Sequence, residues 1–225
     1  MMHPSARLIV GAIGLLITAC GPSTKLSAED EHKRQDAALL RSVADEAGSD
    51  PHNPFRGAQT LAEDSILAAV GSNIDQTWVR RMVEHQEGAS RFADIVLQAR
   101  PSAPVREAAE ALKRNSETRL VQLGQLRRRS LRTDPASTEP FASAVSDMFA
   151  AMTKEQGATV EQAWLLKMAV YDRGAVTLAG IEATRGQDER AKSLARQIAS
   201  ALANEADALE ALARAQVRVD RPPSP

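Results

Sequence analysis

The sequence predicts an all-α fold, a four-helix bundle built from two duplicated helical hairpins with short extra helices, and three observations predict it. Aromatic residues are scarce, at 3%, beside a hydrophobic share of 43%. That balance favours helices packed through small and aliphatic side chains over sheets of β-branched and aromatic strands. Apolar residues then recur at helix spacing over much of the chain. Finally, one stretch of sequence recurs in related form 86 residues on.

The first element is not part of the bundle. Arg7 precedes an unbroken apolar run from Leu8 to Ala19, too short to span a bilayer and of the right length for the apolar core of a signal peptide. The run closes on Ile17-Thr18-Ala19-Cys20-Gly21, which resembles a bacterial lipobox. Residues 1–19 are therefore expected to be removed, and Cys20, the chain's single cysteine, to carry a lipid. Disulfides and thiolate metal sites are then excluded. Several acyl chains at about 0.8 kcal/mol per buried methylene make such an anchor permanent. Residues 20–56 read as a tether. It is rich in charge and broken at Gly48-Ser49-Asp50-Pro51, with a thin apolar strip (Ala38, Leu39, Leu40, Val43) suited to a short helix over 27–47.

The helical domain is expected over 57–217. From Ile74, the residues Trp78, Met82, His85, Ala89, Phe92 and Val96 follow alternating steps of four and three, the seam of a bundle helix that ends at Arg100-Pro101. Val105, Ala109, Leu112, Leu120, Leu123 and Leu126 mark a second helix, opened near Pro104 and running to about Arg129. After Pro135 and Pro140 come a short helix from about Phe141 to Met152 and two long ones, about Val160 to Thr184 and Asp188 to Ala215, joined at Arg185-Gly186-Gln187. Residues 218–225, ending in Pro222-Pro223-Ser224-Pro225, are expected to be a disordered tail.

WVRRMVEHQEGA (Trp78 to Ala89) aligns with WLLKMAVYDRGA (Trp164 to Ala175). Trp78/Trp164, Met82/Met168, Gly88/Gly174, Ala89/Ala175 and Ala93/Ala179 are identical, and Arg81/Lys167 keeps its charge. Shared periodicity accounts for the apolar matches but not for the tryptophan and the Gly-Ala pair. The domain therefore divides into a first repeat, about 57–133, and a second, about 134–217, related by a pseudo-two-fold axis.

His85 is the single histidine of this domain and lies on the seam one turn after Met82. A thioether and an imidazole together suit copper better than magnesium or calcium. The alternative is a core methionine beside a hydrogen-bonded core histidine. Met148 and Met152 form a second methionine pair, read as packing.

The segment Trp78 to Ala93, WVRRMVEHQEGASRFA, resembles the signature of the domain-of-unknown-function 305 (DUF305) family: an aromatic, then Met-Ile-x-His-His, Gly-Ala or Ala-Ile, and Met-Ala. The resemblance extends over about residues 60–215. It implies a ferritin-like bundle, exported and in some members associated with copper. Met82 and His85 match, whereas Gln86 and Phe92 replace a histidine and a methionine. In the second half Met168 matches, Tyr171-Asp172 replaces the histidine pair and Leu178 a methionine. Met82, His85, Met168 and Asp172 are thus the candidate metal ligands, and copper the candidate ion. The partner-helix slots hold Ser116, Arg119 and Leu123 in one half and Leu202, Glu205 and Leu209 in the other. A di-iron site is unsupported, because it needs Glu-x-x-His on two helices. Arg119 and Glu205 occupy equivalent slots. Either they pair in the core near the axis or they lie as solvated charges on the flank.

No cysteine nucleophile, glycine-rich phosphate loop or Ser-His-Asp arrangement is present, so an enzyme is not expected. A formal charge of −1 with so few aromatics gives no basis for nucleic-acid binding. Two functions remain: an envelope lipoprotein with a residual metal site, or a non-metal scaffold or protein-interaction module. Either faces the periplasm or the exterior. Gly21 after the cysteine is no inner-membrane retention signal, which favours the outer membrane where one exists.

Overall fold

A computed structural model describes residues 53–127 and 132–219, with side chains to 216. Cys20, the 1–19 signal peptide, the 27–47 helix and the end of the 218–225 tail lie outside the described residues. Those described are all-α: α1 (Arg56–Ala68), α2 (Ile74–Gln98), α3 (Ala103–Gly124), a 3-10 turn (Pro135–Phe141), α4 (Ala142–Lys154), α5 (Val160–Arg185) and α6 (Glu189–Val219).

Local chemistry sets the boundaries. Asn73 accepts a hydrogen bond from the Gln76 N–H at 2.9 Å and caps α2, and Thr159 does the same for α5 through the Gln162 N–H at 3.1 Å. Asp188 accepts from the Arg190 N–H at 2.9 Å and starts α6. The α2 helix stops where Arg100 adopts φ 55°, a left-handed conformation just ahead of Pro101, which cannot continue a helix.

The duplication reaches further than the hairpins read from sequence. Helices α1 and α4 occupy equivalent residues, as do α2 and α5, and α3 and α6 start at equivalent positions. Each repeat is therefore three helices. The α1 helix, unassigned in the sequence reading, begins at Arg56, directly after the fully buried Phe55, so the expected tether ends short of residue 56. Phe55 precedes α1 as Phe141 precedes α4, with almost the same backbone angles. The α6 helix also continues to Val219, beyond its expected end near Ala215.

Within each repeat the long helices pair, α2 with α3 and α5 with α6. Between repeats equivalent helices meet: α1 with α4, α2 with α5, α3 with α6. Trp78, Phe92, Trp164, Tyr171 and Leu165 fill the central tier between α2 and α5, all fully buried. Each such side chain contributes about 1.5–3 kcal/mol by leaving water.

Two reciprocal contacts establish the two-fold relation. The Asp75 carboxylate at the start of α2 accepts from the Asp188 N–H at 2.9 Å, capping α6 of the other repeat. Its equivalent, Glu161 at the start of α5, accepts from the Ser102 N–H at 2.8 Å, capping α3. Negative charge at each helix N-terminus adds to the hydrogen bonds.

Candidate functional site

Equivalent residues that touch one another must lie on the two-fold axis, and two such pairs do. His85 stacks on Tyr171 with ring centroids 3.9 Å apart and planes 18° from parallel. Arg119 meets Glu205, Nη2 to Oε2, at 2.5 Å, with side chains only 8% and 12% exposed.

Hydrogen bonds join these pairs into one relay. Arg119 Nη1 donates to Gln86 Oε1 at 3.3 Å, which turns the Gln86 amide nitrogen towards His85 Nδ1 at 3.1 Å. His85 Nε2 lies 3.2 Å from the Tyr171 main-chain oxygen. Guanidinium groups only donate and carbonyls only accept, so the ends of the chain fix every proton between them. Gln86 donates to Nδ1, and Nε2 carries the hydrogen given to Tyr171. His85 is therefore neutral, in the Nε2–H tautomer. Burial pushes it in the same direction, down to about 3, with the Arg119 charge adding to the effect against the Tyr171 hydrogen bond.

Asp172 is the exception in this ordered centre. It is 1% exposed, and neither carboxylate oxygen has a hydrogen-bond partner. His85 Nε2 is 4.0 Å from its Oδ1. Burial, reinforced by the Glu205 carboxylate and opposed by Arg119, holds its proton well above the usual carboxylate range.

Above the relay an open groove of about 670 Å³ separates α3 from α6. Ala111, Asn115, Ala201 and Leu212 help to line it, and the Arg119–Glu205 pair lies in its floor. Asn115 donates to Glu205 Oε2 at 3.3 Å, so the pair is tied to the groove wall.

These contacts answer where the sequence candidates go. Met82 and Met168 are fully buried in the apolar core, and Met148 packs its side chain where a β-carbon on Gly174 would stand. His85 and Asp172 come together; the structure brings Arg119 and Glu205 together as well. Among the described residues no group of three His, Cys, Asp or Glu converges on a point that could hold an ion. Using His85 as a ligand requires breaking one of its two hydrogen bonds, next to a guanidinium that repels a cation.

The sequence reading missed three participants. Gln86 entered it only as a lost histidine, yet it is the bridge between the ion pair and His85. Of the reciprocal caps, Asp75 was equally hidden, whereas Glu161 reads from the sequence as a solvated or capping group, and the two are equivalent positions. Glu182, fully buried near Asp75, was the third. Applying the 86-residue spacing to every polar position would have flagged the caps.

Residues 130–213 match the family described as Domain of unknown function (DUF305). The likeness to DUF305 is to this span. It takes in α4, α5 and most of α6, nearly all of the second three-helix repeat. The DUF305 match thus falls on the second repeat, while the signature read from sequence, with His85, lies in the first. A crystal structure of a DUF305 fragment from Deinococcus radiodurans is similar over 64% of this chain and 97% of that chain, at 18% identity and a TM-score of 0.47. No curated relative matches the chain.

Proposed function

We propose that this protein is a lipid-anchored, non-enzymatic component of the bacterial cell envelope, whose helical domain is a scaffold and binding module. An internal polar relay, running from Arg119 through Gln86 to His85, occupies the centre of that domain. The observation that carries this reading is the commitment of both His85 nitrogens, one to Gln86 and one to Tyr171, with Arg119 behind them. The anchor rests on the lipobox-like Ile17-Thr18-Ala19-Cys20. Among the described residues no helix is long and apolar enough to cross a membrane.

A second reading keeps a residual copper site at Met82, His85, Met168 and Asp172. The unpartnered carboxylate oxygens of Asp172 favour it, since an orphaned buried acceptor calls for a partner. Titration with Cu(I) and Cu(II) separates the two. The scaffold reading expects no saturable one-to-one binding and no difference between the wild type and His85→Ala. Stoichiometric binding that His85→Ala abolishes would establish the copper reading instead. The anchor has its own test. Cys20→Ser should release the protein from the membrane fraction, and continued membrane attachment of that variant would refute lipidation there.

A further inference from the structure

The surface between the two repeats is symmetric in shape but not in charge. Its outer contacts work identically in both directions, since Asp75 caps α6 just as Glu161 caps α3. A repeat could therefore dock on a copy of itself as far as backbone and caps are concerned. On the axis the situation changes, because every residue there meets its own equivalent. Two first repeats would bring Arg119 against Arg119 beneath the groove. Two second repeats would bring Glu205 against Glu205, beside a pair of buried Asp172 side chains. Only a first repeat against a second places opposite charges together, as in the 2.5 Å contact observed. Like charges at so little exposure repel and suppress the wrong partner more than the right pair gains.

We propose that this interface is a pairing surface that accepts the opposite repeat and rejects a like one, and that the external partner it fits is a second copy of this chain exchanging repeats. Arg119 and Glu205 are the residues that determine partner choice. Gln86 orients Arg119 through the 3.3 Å hydrogen bond, and Asn115 holds Glu205 from the groove side. The same contacts that close one chain on itself would close two chains on each other. Crowding of anchored copies on a membrane favours the exchange by mass action. The inference does not depend on whether copper binds.

The test uses two full-length variants, Arg119→Glu and Glu205→Arg. Each alone places like charges on its axis and should lose thermal stability. Unfolded and refolded together, they offer each other opposite charges at both new interfaces. Native mass spectrometry of the refolded mixture should then show the mixed dimer in at least about tenfold excess over either like dimer, equivalent to about 1.4 kcal/mol of discrimination. Absence of that excess, whether the chains stay monomeric or aggregate separately, overturns the proposal. The uncharged variant Arg119→Met/Glu205→Leu, refolded with the wild type, should pair without preference. A preference that survives the loss of both charges would equally overturn it.

Discussion

At the scale of single residues, the buried polar groups set how stability responds to pH, and two of them act in opposite directions. Burial and the neighbouring Asp75 carboxylate, with Asp188 adding and Lys192 opposing, push Glu182 from 4.5 up to about 8. The unfolded chain releases this proton near the ordinary value, whereas the folded one keeps it. The stability it contributes is therefore complete below about 4.5, declines as pH rises, and is gone above about 8. Glu182→Gln, neutral throughout, should leave stability unchanged at pH 4 and raise it by about 1–3 kcal/mol at alkaline pH. Thermal unfolding across that range checks it; equal gains at both ends would refute the buried-acid account. His85 behaves inversely. Its folded value of about 3 lies below the ordinary 6.5, so the unfolded state takes up a proton first and stability falls as pH drops from 6.5 towards 3. His85→Gln should abolish that acid-side slope while costing about 2–3 kcal/mol at neutral pH through lost packing and an orphaned Gln86. A wild-type slope retained in the variant would show that His85 is not its source.

At the scale of elements, glycines separate packing from propensity. Gly180 lies within α5 with no neighbour to meet an added β-carbon. Gly180→Ala should therefore stabilise by about 0.5–1 kcal/mol through helix propensity alone. At Gly157 a β-carbon would run into the backbone of Gln162 and Ala163 at the start of α5, and at Gly71 into that of Gln76 and Thr77 at the start of α2. Gly157→Ala should cost more than about 2 kcal/mol, measured by denaturant unfolding, because backbone cannot move aside as a side chain can. The long helices were legible because each carries a continuous apolar seam between clear stops. The α1 helix was not, because its strip is short: Ala58, Ala62 and Ile66 are its buried apolar residues. What marks it is the recurrence of Pro54-Phe55 as Pro140-Phe141. The duplication held information that helical periodicity alone did not.

At the scale of the whole molecule, one two-fold axis organises the core, the caps and the groove. Its ends are chemically different because the repeats have diverged where they meet. Sequence spacing pointed to Arg119 and Glu205 as equivalent slots, but it left open whether they face inward. It could not reveal the relay through Gln86, which depends on side-chain directions across the axis. Coupling across the pair is measurable by a double-mutant cycle. Arg119→Met and Glu205→Leu should each cost about 2–4 kcal/mol by stranding a partly buried charge, while the double variant should lie within about 1 kcal/mol of wild type. Additive losses would mean that the two charges are independent. The central claim, that both ring nitrogens of His85 are committed to an internal relay, is tested most directly by nitrogen NMR of His85. A neutral Nε2–H imidazole from pH 8 down to pH 5, unshifted by one equivalent of Cu(I), is the predicted result. Protonation near pH 6.5, or a Cu(I)-induced shift of either ring nitrogen, would contradict it.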